Sequence, residues 1–391
     1  MLTSLALIFL LGIMLGSIFN KIKMPNLIGF LLSGIILGPY VLNLIDNSIL
    51  SISADLRKIA LIIILTRAGL SIDIDSLKKV GRTAMLMCFV PALLEILGVI
   101  IFAPKLLNIS IIEASIIGTV LAAVSPAVII PRMISLKEKG YGKKNSIPEI
   151  IMAGSSIDDI FVIVLFTSFT SLATEGNLSI SEFINLPISI ILGLLLGGLI
   201  GIILSYLFKH VHIRDSVKVL LILSISFLLV AIEDSLKYIP FSGLLAIMSL
   251  NATILNTYEN LANRLSSKFS KLWVVAEIIL FVLVGATINI NYVISQGISP
   301  IIIILIGLAF RMIGVFLSTL KSKLSYKEKF FCMMAYSPKA TVQAAIGTIP
   351  LTMGLPCGEL VLTIAVLSII ITAPLGAFLI DHSYKKLLIK E

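Results

Sequence analysis

The stretch Ala153-Gly154-Ser155-Ser156-Ile157-Asp158-Asp159-Ile160-Phe161 decides how this chain is read. Two adjacent carboxylates stand between apolar neighbours, and Ile160 to Phe166 continues without a charge. A helix starting near Pro148 carries the aspartates roughly 15 Å along its axis, close to a bilayer midplane. A carboxylate there costs about 2.5–3.5 kcal/mol on insertion scales, so it needs a reason to be present. The bland alternative is a capping aspartate in a buried soluble helix, and composition argues against it. Of 391 residues 58% are hydrophobic and 13% charged, about half the charged share of a soluble domain. Mean hydropathy is +1.11. This is the composition of an all-α polytopic membrane protein.

Working outward, thirteen apolar segments read as transmembrane helices: 2–19, 26–42, 57–71, 83–103, 111–133, 148–171, 183–208, 217–232, 239–255, 272–288, 299–320, 329–353 and 359–380. The loops and adjoining span ends on one side carry 23 of the 30 lysines and arginines, and those on the other only four, Arg57, Lys58, Lys105 and Lys237. By the excess of basic residues on cytoplasmic loops, the N-terminus lies outside and the C-terminus in the cytoplasm. The net charge of +9 is then that of basic loops facing anionic lipid headgroups, with no nucleic acid implied. The first segment has no basic residues before it, and Lys21 and Lys23 follow it, the pattern of an uncleaved helix rather than a signal peptide. The three cysteines, Cys88, Cys332 and Cys357, lack metal or redox spacing and read as small hydrophobes. His210, His212 and His382 fall in loops. The longest cytoplasmic loops are expected near 135–146 and 256–271. Neither could fold as a nucleotide-binding domain, and Gly140-Tyr-Gly-Lys-Lys-Asn-Ser lacks the spacing of a phosphate loop.

The chain repeats itself with an odd offset. Ala123-Val-Ser125-Pro126 in segment 5 matches Ala335-Tyr-Ser337-Pro338-Lys339 in segment 12. Met24-Pro25-Asn-Leu-Ile-Gly29 before segment 2 matches Ile239-Pro240-Phe-Ser-Gly243 in segment 9, and Arg67-Ala-Gly69 in segment 3 matches Val284-Gly285-Ala in segment 10. Each pair is seven segments apart, so partners cross the membrane in opposite directions, as inverted-topology repeats do. Proline lacks an N–H and clashes with the preceding turn. Pro126 and Pro338 therefore predict two crossing discontinuous helices beside a midplane site, with Ser125 and Ser337 at the breaks.

Glu95 and Arg311 lie near the centres of segments 4 and 11, again seven apart. With Asp158, Asp159 and Lys339 they form a set of midplane charges that must neutralise one another and the half-helix dipoles. Lys339 is expected to offset the dipole ends, and Glu95–Arg311 to be a structural pair, with Asp158 as the other open partner of Arg311. A dehydrated cation prefers oxygen ligands, which Asp158, Asp159, Ser125, Ser155, Ser156 and freed carbonyls offer. A carboxylate that holds either a proton or a cation, but not both, is the minimum machinery of an antiporter. Glu277 in segment 10 reads as lining a cytoplasmic funnel or as an interfacial glutamate, and Arg67 as snorkelling. Gly12-xxx-Gly16, Gly34-xxx-Gly38 and Gly193-xxx-Gly197-xxx-Gly201 allow close helix approach.

These residues resemble the sodium/proton antiporters of the cation/proton antiporter superfamily over nearly the whole chain. Pro25-Asn-Leu-Ile-Gly-Phe-Leu-Leu-Ser-Gly-Ile-Ile-Leu-Gly-Pro39 looks like that group's second-helix signature, and Ser156-Ile-Asp158-Asp159 like its paired aspartates. Ser337-Pro-Lys-Ala-Thr-Val-Gln-Ala-Ala-Ile-Gly347 is similar to the NHA branch in particular. The resemblance implies a single membrane domain, no enzyme activity and no cofactor. It implies exchange of Na+ or Li+ for protons in a cell membrane, and a homodimer with scaffold helices in 1–73 and 217–288. A moving core in 83–171 and 299–380, a linker helix in 183–208 and elevator-like alternating access would follow. Asp159 is then the essential site for the metal ion and the proton, with Asp158 beside it. A K+/H+ antiporter and a sodium-coupled bile-acid-type symporter are the alternatives. Adjacent aspartates beside a lysine suit an organic anion poorly. An intramembrane aspartyl protease needs its aspartates on different helices, and a channel is the remaining competitor.

Overall fold

The computed structural model describes residues 1–71, 81–175, 180–235 and 241–390; the side chains of Ser156, Ile160, Glu175, residues 180–187, Ile190 and Asp234 lie outside the description. The openings of the third-segment loop and of segment 9 (Ile239-Pro240) fall outside it too. The regular structure among the described residues is helical, apart from one isolated bridge between Tyr141 and Lys390.

The helices are α1 (Leu2–Lys21), α2 (Asn26–Leu37), α3 (Asn47–Ser51), α4 (Ser53–Gly69), α5 (Arg82–Met87), α6 (Val90–Leu107), α7 (Ile111–Ala122), α8 (Pro126–Glu138), α9 (Ile147–Glu175) and α10 (Ile180–His210). Then follow α11 (Asp215–Ser235), α12 (Gly243–Thr257), α13 (Glu259–Ala286), α14 (Ile290–Ser295), α15 (Ser299–Thr319), α16 (Tyr326–Ala335), α17 (Thr341–Ile346), α18 (Ile349–Thr352) and α19 (Gly358–Leu387). Among the described residues nine helical stretches are long and apolar enough to cross a membrane, and α2 and α12 are shorter apolar helices.

Two segments differ from expectation. The fourth is split into α5 and α6, because Pro91 has no N–H to continue a ladder and instead occupies the first turn of α6. The stretch 256–271, read as a loop, belongs mostly to α13. Leu261, Ala262, Leu265 and Phe269 are buried along one face while Arg264 and Lys271 stay exposed and Lys268 is half-buried. Its charges hid an amphipathic helix whose apolar residues follow the helical period.

The chain forms two compact units. One comprises Asp55–Ile72 and Glu175–Ile279. In it the Gly193, Gly197 and Gly201 stripe of α10 packs on the backbone of α12 at Ser242, Ala246 and Leu250. Arg264 is paired with Asp215 at 3.0 Å. The other unit comprises Met1–Ala54, Asp73–Thr174 and Leu280–Glu391. Here Gly16 of α1 faces the Phe30 ring of α2, and Gly34 and Gly38 of α2 face the end of α13. α6 packs along α15, and α16 against α19.

This second unit also holds both interrupted helices. α7 stops at Ala122, residues 123–125 are extended, and α8 restarts with Pro126 in its first turn. α16 stops at Ala335, and α17 restarts at Thr341. The breaks meet: the Ser125 N–H donates to the Pro338 carbonyl at 2.8 Å. Both interrupted helices open with the same reciprocal cap. Ser110 and Glu113 cap α7, and Ser325 and Glu328 cap α16, each serine hydroxyl accepting from the glutamate N–H while the carboxylate accepts from the serine N–H.

Candidate functional site

The site is built where α7 ends. The last carbonyls of a helix have no partner in the helix and carry its negative dipole end. Here they are met by side chains from α15, from the second break and from α17 just after it. Gln343 Nε2 donates to the carbonyls of Val120 (3.1 Å) and Ala123 (2.7 Å). Arg311 Nη1 donates to Ala122 O, and Lys339 Nζ to Leu121 O.

Those two cations share one carboxylate. Glu95 Oε2 lies 2.9 Å from Arg311 Nη1, and Glu95 Oε1 lies 2.6 Å from Lys339 Nζ. Arg311 Nη2 also reaches Asp158 Oδ2 at 2.7 Å, and its Nε donates to Tyr336 O at 2.8 Å. The two partners held apart for Arg311 in the sequence are both engaged. Glu95, Asp158, Arg311 and Lys339 are all buried. Asp158 Oδ2 further accepts the Val124 N–H, at 3.0 Å, from the first break.

Two carboxylates and two cations cancel. Asp159 is left over: it makes no ion pair among the described residues, is only partly buried, and its shielded Oδ1 has no hydrogen-bond partner. Asp158 Oδ1, Ser125 Oγ and Gln343 Oε1 are likewise buried oxygens without a partner. Such acceptors suit a hard cation. No group of three or more His, Cys, Asp or Glu side chains that could hold a metal occurs among the described residues. A cation here would therefore need neutral oxygens beside the aspartates.

The remaining residues singled out from the sequence make contacts of their own. Ser155 is buried with its hydroxyl donating to Met152 O of its own helix, at 3.0 Å. Ser337 Oγ donates to Met334 O at 2.8 Å, closing α16. The side chain of Ser156 lies outside the described residues. Glu277 belongs to the other compact unit, where it interacts electrostatically with Arg67; no funnel role follows from this. Cys88, Cys332 and Cys357 are free and buried.

Gln343, Tyr336 and Thr372 were not singled out from sequence. Gln343 stands inside the quoted 337–347 motif, a buried amide with the reach to cap a helix end. Tyr336 packs where Gly154 of α9 leaves room, because a Cβ at Gly154 would meet the Tyr336 hydroxyl and Met87. Thr372 Oγ1 accepts the Lys339 N–H at 2.9 Å.

The family model for sodium/hydrogen exchangers, described as transmembrane, matches residues 5–382. The chain belongs to this family. Human sodium/hydrogen exchanger 9B2 is 31% identical over 409 residues, spanning 98% of this chain and 74% of the relative. Human sodium/hydrogen exchanger 9B1 is 31% identical over 410 residues, 99% and 78% of the two chains. Among solved structures, the sodium proton antiporter MjNhaP1 from Methanocaldococcus jannaschii superposes with a TM-score of 0.83 at 23% identity, covering 98% of each chain. At that identity the likeness speaks for the fold. The chain is thus an integral membrane protein with the antiporter fold.

Proposed function

We propose that this exchanger moves Na+, and Li+ in its place, against protons, with Asp159 as the group the two ions share. The charge balance supports the reading. Glu95 and Asp158 are neutralised by Arg311 and Lys339, so the net charge of the site rests on Asp159. A proton neutralises it in one half of the cycle, and a cation with Asp158 Oδ1, Ser125 Oγ and freed carbonyls in the other. Arginine keeps its proton at any accessible pH, so Arg311 anchors Asp158 rather than cycling. Only Asp159 then has to cycle, and exchange is one-for-one.

The same reading takes the thirteen segments as membrane spans, with the interrupted helices crossing at the midplane in two inverted repeats. Helices in 83–171 and 299–380 carry the ion as a rigid core past a dimeric scaffold of 1–73 and 217–288, joined by 183–208. The NHA-like motif at 337–347 supports this assignment. The N-terminus is placed outside and the C-terminus in the cytoplasm of the cell membrane. Dye-reported proton flux in proteoliposomes tests the proposal. Na+ and Li+ should drive proton movement while K+ and a bile salt do not; movement driven by K+ or bile salt alone would overturn it.

A further inference from the structure

Six lysines that the exchange mechanism leaves unused gather at one end of the site-bearing unit. The loop between α8 and α9 and the segment after α19 are locked together there. The Gly142 N–H donates to Ile389 O at 2.9 Å, beside the Tyr141–Lys390 bridge. Gly142 has φ +70°, a conformation that favours glycine, and it turns the loop toward that segment. Tyr141 and Tyr384 meet edge to face with centroids 4.9 Å apart. Leu388 is buried with Leu136, Ile147 and Ile150 under the lock. Arg132 pairs with Asp381 at 3.2 Å, and Lys137 with Glu149 at 2.8 Å.

The lock brings like charges together. Lys139, Lys143 and Lys144 from the loop, Lys385 and Lys386 from the last turn of α19, and Lys390 after it are all exposed. Lys139 and Lys385 lie 5.9 Å from the centre of the Tyr384 ring, and Lys390 5.8 Å from that of Tyr141. Of the neighbouring acids among the described residues, Asp381 and Glu149 are already paired and Glu328 accepts from Asn145 and Ser325, leaving Glu138. Clustering these cations is unfavourable unless something anionic lies over them. The patch lies at the end of the apolar α19, so it stands at the depth where a bilayer's headgroups begin. Tyrosines flanked by lysines suit that depth.

We propose that this locked face docks anionic phospholipid headgroups of the leaflet it meets, and that their binding holds the α8–α9 loop against the segment after α19. The loop joins the helix that starts at Pro126 to the helix of Asp159, so the lipid braces the connection between the break and the carboxylate. Naming the leaflet as cytoplasmic rests on the orientation proposed above. Lipid docking itself does not. Each lysine close to an anionic surface strengthens the hold on the order of fivefold.

The test uses the full-length purified protein in detergent, melted with added phosphatidylglycerol or phosphatidylcholine. Phosphatidylglycerol should raise the wild-type melting temperature and phosphatidylcholine should not. The exposed-site variant Lys143→Gln/Lys144→Gln/Lys385→Gln/Lys386→Gln should lose most of that shift, while Lys21→Gln/Lys23→Gln keeps it. Native mass spectrometry should show fewer phosphatidylglycerol adducts on the first variant only. An undiminished shift in the first variant, an equal loss in the second, or an equal shift from soluble glycerol phosphate would each overturn the proposal. Orientation is read separately, by labelling Glu138→Cys with an impermeant thiol reagent in right-side-out vesicles. Labelling there would reverse the leaflet and leave the docking result standing.

Discussion

The two helix breaks have the same Ser-Pro sequence and opposite needs. At the second, the end of α16 is closed by its own chain. Cys332 O accepts the Tyr336 N–H at 3.1 Å, and Met334 O accepts the Ser337 hydroxyl at 2.8 Å. At the first, the carbonyls ending α7 are capped by Gln343, Lys339 and Arg311, all from beyond the midpoint of the sequence. The free N–H groups differ in the same way. Val124 donates to a carboxylate, Asp158, whereas Lys339 donates to a hydroxyl, Thr372. A similar backbone break thus occurs twice, and side chains make one break the charged end and the other the source of its caps. Lys339 and Arg311 are occupied by this work, which leaves Asp159 without an ion pair among the described residues.

The largest effect should come from Glu95, the one carboxylate that both capping cations share. Glu95→Gln leaves Arg311 and Lys339 undercompensated, a loss on the order of 3–5 kcal/mol for a broken buried pair. Thermal melting should fall sharply, and Glu95→Gln/Lys339→Gln should be less damaged than the sum of the single variants. Additive losses would separate the two residues. Gly154→Ala comes next, since it pushes a methyl into Tyr336, whose carbonyl holds Arg311; about 1–3 kcal/mol is expected from overpacking. An unchanged melt would mean that α9 and the second break are not in close contact.

Gln343→Leu removes the amide from the end of α7 while keeping its bulk. Buried carbonyls left without a donor cost about 1–3 kcal/mol. Removing the hydroxyl at the other break, Ser337→Ala, should do less, because that break is closed by backbone as well. If Gln343→Leu is neutral, the asymmetry between the breaks is only apparent. Thr372→Val is the mildest, about 1 kcal/mol for one neutral hydrogen bond. It should leave ion exchange intact, and a transport defect without a melting defect would give Thr372 a role in the cycle.

Much of this was legible before any coordinates. Isolated charges in apolar runs marked Glu95, Asp158, Asp159, Arg311 and Lys339, because a membrane interior tolerates few charges without a partner. The two Ser-Pro pairs marked the breaks, because proline cannot continue a helical ladder. What stayed hidden depends on distance between segments rather than pattern within them. That one guanidinium reaches Glu95, Asp158 and two carbonyls is a fact of packing, and so is the reach of Gln343 to α7. Other features are readable in local pattern. Ser110-xx-Glu113 and Ser325-xx-Glu328 are capping boxes that would have fixed the starts of both interrupted helices. The apolar spacing at 261, 262, 265 and 269 would have lengthened α13.

The most direct measurement compares Asp159→Asn with Asp158→Asn in proteoliposomes, by sodium-driven proton flux alongside melting of the purified proteins. Asparagine cannot exchange a proton, so Asp159→Asn should fold and melt close to wild type yet move no protons. Asp158→Asn should melt lower, because Arg311 loses a partner, and should bind sodium poorly, because Asp159 then balances Arg311. Wild-type flux from Asp159→Asn would contradict the assignment of the shared site.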